Sequence, residues 1–461
     1  MKYVSTRNSN IKYSFEEIFF KGLADDGGLF IPENFYKLSK DEILKFSKLS
    51  FQEISEFIFS KYTGETFKKD ELNQIINNAY KNFRCQKIVD VKKYKNINLV
   101  QLFHGPTLAF KDIAMQVLGQ MYNNLLIKNK KKINIITATS GDTGAAAINA
   151  FKDNEKINIF VLHPNNKISD VQRKLMTTTA SKNVFNIAIN GNFDDCQNLV
   201  KEMFVDSIFS KKINMSGVNS INWARIVAQT TYYFFVYAHF AKSDNDLIFS
   251  VPTGNFGDIY AGYVAKKMGL PIKKLVIATN KNNILERCIN SGEYKPEKVN
   301  ESLSPSMDIQ VSSNFERVLY DYFKKDENKI KTIMDDLKFK GLFNIEKNIL
   351  NKIREDFDAT CCDDSETCKI IRDFYDYNQI IVDPHTATAL KISNYQDYKN
   401  KQIFVLETAH HCKFPIAIKK SLNKEIDFPN FLNINDSEEK FEVIENDIHS
   451  IKNYILSKIG I

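Results

Sequence analysis

Apolar positions fall into two regimes along the 461 residues of this chain. In the first they recur at the helical period, with polar residues between them. Phe15 to Leu23 reads as a short amphipathic helix, Ala24 to Gly28 as a tight turn, and Leu29-Phe30-Ile31 as an apolar run that Pro32 ends. Helical spacing resumes from Ser39 to about Phe83, with a break expected near Thr63-Gly64-Glu65-Thr66. The pattern predicts a mainly helical section over residues 1–95 that packs against, or walls, a cleft.

In the second regime β-branched runs alternate with glycine-rich turns and helices. Ile133 to Ala138 is a predicted strand, Thr139 to Gly144 a turn, Ala145 to Phe151 a helix and Ile157 to Leu162 another strand. The arrangement returns later as a strand from Leu247 to Val251, a turn from Pro252 to Asp258, and a helix from Ile259 to Met268 closed by Gly269 and Pro271. Strand, turn, helix, strand is a βαβ unit, which predicts parallel sheets with ligands at the strand C-terminal ends. Further strands are expected at Ile187 to Ile189, Leu275 to Thr279, Ile380-Ile381-Val382 and, as the last of them, Ile403 to Leu406. Asn219 to Arg225 opens a long aromatic helix running to about Phe240, in which Tyr232 to Phe235 read as core. The α/β part divides into expected sections 96–240 and 241–461.

Each glycine-rich turn leads into a helix, where free N–H groups can hold an anion. The first offers the Ser140 and Thr143 hydroxyls beside Gly141 and Asp142, although such a turn can equally just cap a helix. The second, Gly254-Asn255-Phe256-Gly257-Asp258, lacks both the Walker pattern and the dinucleotide fingerprint. Arg225 falls in the first turns of its helix, able to reach a phosphate or to pair with an acidic neighbour.

Lys111 lies at the centre of His104 to Asp112, after an apolar Leu108-Ala109-Phe110 and before the stripe Ile113, Met115, Val117, Leu118, Met121. This places the lysine at a helix start, where the dipole and partial burial disfavour the ammonium form and leave an amine able to attack an aldehyde. A lysine there can also send its amine to water. One poised lysine with two anion cradles suggests a phosphorylated aldehyde cofactor and an anionic amino-acid substrate.

Composition narrows the classes further. At 43% hydrophobic and 26% charged the chain has an ordinary globular balance, and no run approaches the roughly 18 apolar residues of a membrane span. The N-terminus lacks the apolar core of a secretory signal, so a cytoplasmic protein is expected. The net charge of +7 is spread out, which argues against nucleic acid and is compatible with attraction of small anions. Seven scattered cysteines fit a reducing compartment. Cys361, Cys362 and Cys368 are expected as surface or half-buried thiols. No metal is expected at His410-His411-Cys412, because neighbours on an extended strand point to opposite faces.

Taken together, Tyr3 to Arg7 with Gly22 to Pro32, His104 to Asp112, Thr137 to Ala147, Asn219 to Arg225, Val251 to Asp258, Ser306 to Arg317, Asp383 to Ala389 and Thr408 to Phe414 resemble one family: threonine synthases, fold type II enzymes dependent on pyridoxal phosphate. The resemblance implies an α/β architecture of two parallel-type sheets flanked by helices. It implies that Lys111 forms the Schiff base with pyridoxal 5'-phosphate, that Gly254, Asn255, Phe256, Gly257 and Asp258 bind its phosphate, and that Thr408 bonds its ring nitrogen. Ser140, Gly141, Asp142 and Thr143 would lie beside the substrate carboxylate and the cofactor ring; Asn222 and Arg225 are candidate substrate-binding residues, Arg225 as the cation that could reach the substrate phosphate. The implied reaction takes O-phospho-L-homoserine and water to L-threonine and phosphate, by a monomer or a homodimer. A serine or threonine dehydratase of the same fold type, and a non-enzymatic binding protein on that fold, are the alternatives. The chain departs from the family pattern at His411-Cys412, where Pro-Ala is usual.

Overall fold

Ser-x-x-Glu signatures start three helices of the N-terminal section. Ser14 with Glu17, Ser39 with Glu42, and Ser50 with Glu53 each close a reciprocal capping box, satisfying backbone donors that a helix start leaves open. The helices are Phe15–Lys21, Lys40–Lys45 and Phe51–Thr63, followed by Lys69–Tyr80. The structure, a computed structural model, describes residues 1–95, 97–241, 247–398, 401–432 and 437–461. The N-terminal section also holds a feature that helical periodicity does not announce, a three-stranded antiparallel sheet of Tyr3–Ser5, Asn8–Tyr13 and Phe30–Pro32.

Two larger sheets carry the α/β part. The six-stranded one runs Phe357–Cys361, Ile272–Thr279, Leu247–Pro252, Gln402–Glu407, Ile97–Gln101, Asp90–Tyr94, parallel except for the last strand. The five-stranded one runs Glu442–Glu445, Val184–Asn190, Ile157–Pro164, Ile133–Ala138, Met215–Ser216, all parallel. Sheet membership crosses the section boundaries expected near residues 95 and 240. Asp90–Tyr94 and Ile97–Gln101 pair with each other around residue 96, which lies outside the described residues, and Glu442–Glu445 returns to the sheet of the middle section.

Two strand expectations are corrected. Ile380-Ile381-Val382 forms no strand; it links two helices and packs Val382 into an apolar cluster without a ladder. The place in the sheet goes to Phe357–Cys361, an edge strand with alternating polar residues. Gln402–Glu407 is not the last strand, since Glu442–Glu445 follows.

The helix Trp223–Phe240 is the spine of the core. Its residues from Trp223 to Tyr237 are all buried, as expected of a helix apolar on every face. Trp223 packs edge-on against Tyr3, Tyr62 and Tyr260, tying the N-terminal sheet to the α/β part. The chain start is also clamped by charge: Arg7 grips Glu316 through Nε at 3.0 Å and Nη2 at 2.7 Å, and Thr6 donates its hydroxyl to the same carboxylate. Cys361 is half-buried, whereas Cys362 and Cys368 are buried, against the expectation for this trio; Cys368 lies on the inward face of the helix Asp364–Asn378.

Candidate active site

The C-terminal ends of parallel strands from both large sheets open onto one cavity of about 810 Å³, within the usual range for a small-molecule site. Its wall includes Lys111, Ser140, Asp142, Thr143, Asn222, Arg225, Thr408 and the whole stretch Gly254 to Asp258. Of the residues singled out from sequence, only Gly141 stands outside this wall. Its φ is +126°, it faces Gln172, and its N–H donates to the Thr139 hydroxyl at 2.9 Å.

Lys111 is the first residue of the helix Lys111–Lys128. The loop before it is closed on itself: Thr107 donates its N–H and hydroxyl to Asp112 at 2.8 and 2.7 Å, and a Cβ on Gly105 would meet the Asp112 Cβ at 2.3 Å. The same loop is zipped to the loop after Gln402–Glu407. Phe110 N–H donates to Thr408 O at 2.8 Å, His410 N–H donates to Leu108 O at 3.0 Å, and Ala109 bridges Ala409. Lys111 and Thr408 are thus fixed relative to each other by backbone.

Asp142 opens the helix Asp142–Phe151, three residues earlier than expected, because the turn tightens onto Thr139. Its carboxylate receives Lys111 Nζ at 3.2 Å and Ser306 Oγ at 3.3 Å on Oδ2, and Lys413 Nζ at 2.7 Å and Gln172 Nε2 at 3.0 Å on Oδ1. Burial alone would raise this carboxyl, but Lys413, then Lys111 and His385, hold it well below the usual range. Lys111 moves down from its ordinary value. Burial is the main cause, Lys413 and Arg225 add to it, and the one carboxylate that Lys111 shares does not offset them.

The second cradle follows Leu247–Pro252 directly and leads into the helix Gly257–Met268. Phe256 caps that helix in the left-handed region at φ 63°, with no side chain satisfying the first-turn N–H groups. A Cβ on Gly254 would lie 2.9 Å from Ser306 O and 3.3 Å from Met307 Cα, both backbone. Asp258 is buried, with Tyr232 and Tyr233 donating to Oδ1 while Oδ2 has no partner, and burial pushes its pKa up to about 7. The two tyrosines are core, as expected, yet their hydroxyls also brace this loop.

Asn222 caps the helix Trp223–Phe240, accepting from Ala224 N–H at 3.0 Å and donating to Phe19 O at 3.1 Å. Arg225 is 3% exposed. Among the described residues it pairs with no carboxylate, correcting the alternative of an acidic partner. Nη1 donates to Val218 O at 3.1 Å, Nε has no partner, and burial pushes the guanidinium down to about 10.

Residues not singled out complete the site. His385 Nδ1 donates to Asp383 Oδ1 at 2.8 Å, the tautomer required because Nε2 accepts the Ser306 N–H at 3.3 Å. Their signal was Asp383-Pro384, which starts a helix at the cavity edge. Lys413 gave one too, a lysine between Cys412 and Phe414-Pro415. His410 and His411 do not point to opposite faces. The chain turns into a 3-10 helix at His411, and the rings stack 4.2 Å apart. Among the described residues no group of three or more His, Cys, Asp or Glu side chains is arranged to hold a metal ion.

A threonine synthase N-terminal family model matches residues 2–80, a pyridoxal-phosphate-dependent enzyme model residues 87–406, and a threonine synthase C-terminal model residues 386–455. The chain is 38% identical to a threonine synthase of Pseudomonas aeruginosa over 99% of its own length and 98% of that protein. The chain belongs to the threonine synthase family. A Saccharomyces cerevisiae threonine synthase is 40% identical, with 91% of this chain and 89% of that protein covered. The pyridoxal-phosphate-bound threonine synthase of Brucella melitensis superposes with a TM-score of 0.95 at 40% identity, covering 99% of each chain. As a member of this family the chain is a fold type II, pyridoxal-phosphate-dependent enzyme. Its residues fit that cofactor: a lysine with a depressed pKa, a helix start with open N–H groups, and a glycine whose missing side chain keeps the cradle clear, all on one cavity. No helix among the described residues is long and apolar enough to cross a membrane.

Proposed function

We propose that the chain converts O-phospho-L-homoserine and water to L-threonine and phosphate, acting as a lyase on a phosphate ester. The observation that carries this reading is Arg225, a buried guanidinium without a carboxylate on the same cavity wall as Lys111. A cation left unpaired in low dielectric is a site made for an anion that arrives with the substrate. Gly254 to Asp258, at the start of the helix Gly257–Met268, would hold the cofactor phosphate, and Thr408 would supply a hydroxyl to its ring. Ser140, Asp142 and Thr143 flank the substrate carboxylate, with Gly141 shaping that turn from behind. Asn222 keeps Arg225 in place by capping its helix.

Bound pyridoxal phosphate supplies an electron sink for charge developing on the substrate carbons. The Lys111 amine would take the proton from Cα and move protons at Cβ and Cγ as phosphate leaves Cγ, after which water adds its oxygen at Cβ and the proton returns to Cα; this needs an amine less basic than an ordinary lysine, the direction in which burial moves Lys111. One copy of the chain provides every side chain invoked. A cytoplasmic setting fits its free cysteines.

The test is product analysis with added pyridoxal phosphate. O-phospho-L-homoserine is expected to yield threonine and phosphate in equal amounts, while L-serine and L-threonine release no ammonia at a comparable rate. Ammonia from the unphosphorylated amino acids without threonine formation replaces this reading with the dehydratase one.

The cradle makes a separate prediction. Gly254→Ala forces a methyl against the backbone of Ser306 and Met307, an overpacking cost of about 1–3 kcal/mol. Pyridoxal phosphate affinity is expected to fall roughly 10- to 100-fold in a fluorescence titration; an unaltered Kd means the turn gives way and the cradle is not what holds the cofactor.

A further inference from the structure

Behind the cavity wall sits a lysine with no solvent contact at all. Lys413 is 0% exposed, and its ammonium group is held by Asp142 Oδ1 at 2.7 Å and Thr107 O at 2.9 Å. A buried ammonium is retained only where its partners offset lost hydration, and this one is anchored on several sides. Its backbone rides on the 3-10 turn His411–Lys413, His410 Nδ1 accepts the Cys412 N–H, and Ser169 Oγ donates to Lys413 O at 3.2 Å. Through the Ala109 and Ala409 bridge that turn is locked to the loop carrying Lys111. The two lysines thus approach one carboxylate from opposite oxygens with little freedom to rearrange.

We propose that Lys413 is a positioning residue that sets the basicity of the Lys111 amine through the carboxylate they share. Were Asp142 the private counterion of Lys111, the pair would hold the lysine as an ammonium group, unable to attack an aldehyde or accept a proton. Lys413 engages Oδ1 first, so that Asp142 still orients Lys111 from Oδ2 while its charge is already balanced. The other charged groups facing Lys111 do not substitute for it. Arg225 acts in the same direction as a weaker influence, and Asp258 is turned toward Tyr232 and Tyr233. His385 faces Asp142, with its Nδ1 proton on Asp383. The departure at His411-Cys412 leaves this device intact, because the bonds that anchor Lys413 come from His410, Thr107, Asp142 and Ser169.

The inference rests on Lys111 being the lysine that meets the cofactor aldehyde, and not on which substrate is used. Cofactor-free protein is mixed with pyridoxal phosphate from about pH 6 to about pH 10, and growth of the visible Schiff-base band is followed. The rate tracks the fraction of Lys111 present as free amine, so its midpoint reports that amine. Lys413→Met is expected to raise the midpoint by roughly 1 to 2 pH units, Asp142→Asn to lower it, and Lys413→Arg to leave it near the parent value. Should Lys413→Met not fold, Lys413→Gln, which keeps a polar donor toward Asp142 and Thr107 but no charge, takes its place, and the midpoint should rise in the same way. A loss of rate with an unmoved midpoint, the result of a purely structural role, overturns the proposal. Absence of a band in the parent protein overturns the assignment of Lys111 as well.

Discussion

Lys111→Ala is expected to lower kcat/KM for O-phospho-L-homoserine by roughly 10⁴-fold or more, because one substitution removes both the covalent anchor and the proton-transfer base. The loss should be chemical and not a collapse of the site. Asp142 keeps Lys413 at 2.7 Å and Gln172 at 3.0 Å, and the loop around Gly105 to Asp112 is held by Thr107 and backbone bonds that do not involve the lysine amine. Thermal unfolding of the cofactor-free variant should therefore match the parent. Borohydride reduction followed by intact mass measurement should show the added pyridoxyl group in the parent and none in the variant. Lys111→Arg restores the cation without a competent amine and should be as inactive. Retained turnover in either variant would falsify the assignment.

The second large effect is expected at Arg225. Arg225→Gln should raise the KM for the phosphorylated substrate roughly 10²-fold or more with a smaller change in kcat, the loss typical of a buried charged partner. Its effect on stability should run the other way. A buried guanidinium with one backbone acceptor at 3.1 Å and an unpartnered Nε is a desolvated charge that folding does not compensate. Removing it should leave the melting temperature of the free chain unchanged or higher, while inorganic phosphate is expected to protect the parent against heat and not the variant. An unchanged KM removes Arg225 from the substrate site.

How far these features were legible in the sequence depended on the distance over which they are specified. Lys111 at a helix start, and the turns at Ser140 to Thr143 and Gly254 to Asp258, are local: a few residues of turn chemistry followed by a helical period suffice. The helix starts were misjudged by two or three residues where Asp142 and Gly257 enter the first turn, the usual ambiguity between cap and helix. The edges of the sheets were illegible for a different reason. Phe357–Cys361 and Glu442–Glu445 mix polar with apolar residues, as solvent-facing edges do, whereas Ile380-Ile381-Val382 looks like a strand because an apolar loop segment here packs Val382, and partly Ile381, into a core cluster. Least legible of all was Lys413, whose burial comes from Asp142 and Thr107, residues brought to it by the fold and distant in the chain.

The backbone zipper between Ala109 and Ala409 has a consequence for how the protein is made. Lys111 leaves the ribosome 297 residues before Thr408, the difference between 408 and 111. At roughly 5 to 20 residues per second, the nascent chain spends about 15 to 60 seconds with its reactive lysine synthesised and the strand Gln402–Glu407 still missing. During that interval Leu108 and Phe110 have no partner loop, and Asp142 has Lys111 as its only lysine neighbour. Cofactor capture in the cell should accordingly be a late event, following synthesis of the strand Gln402–Glu407 and the loop after it.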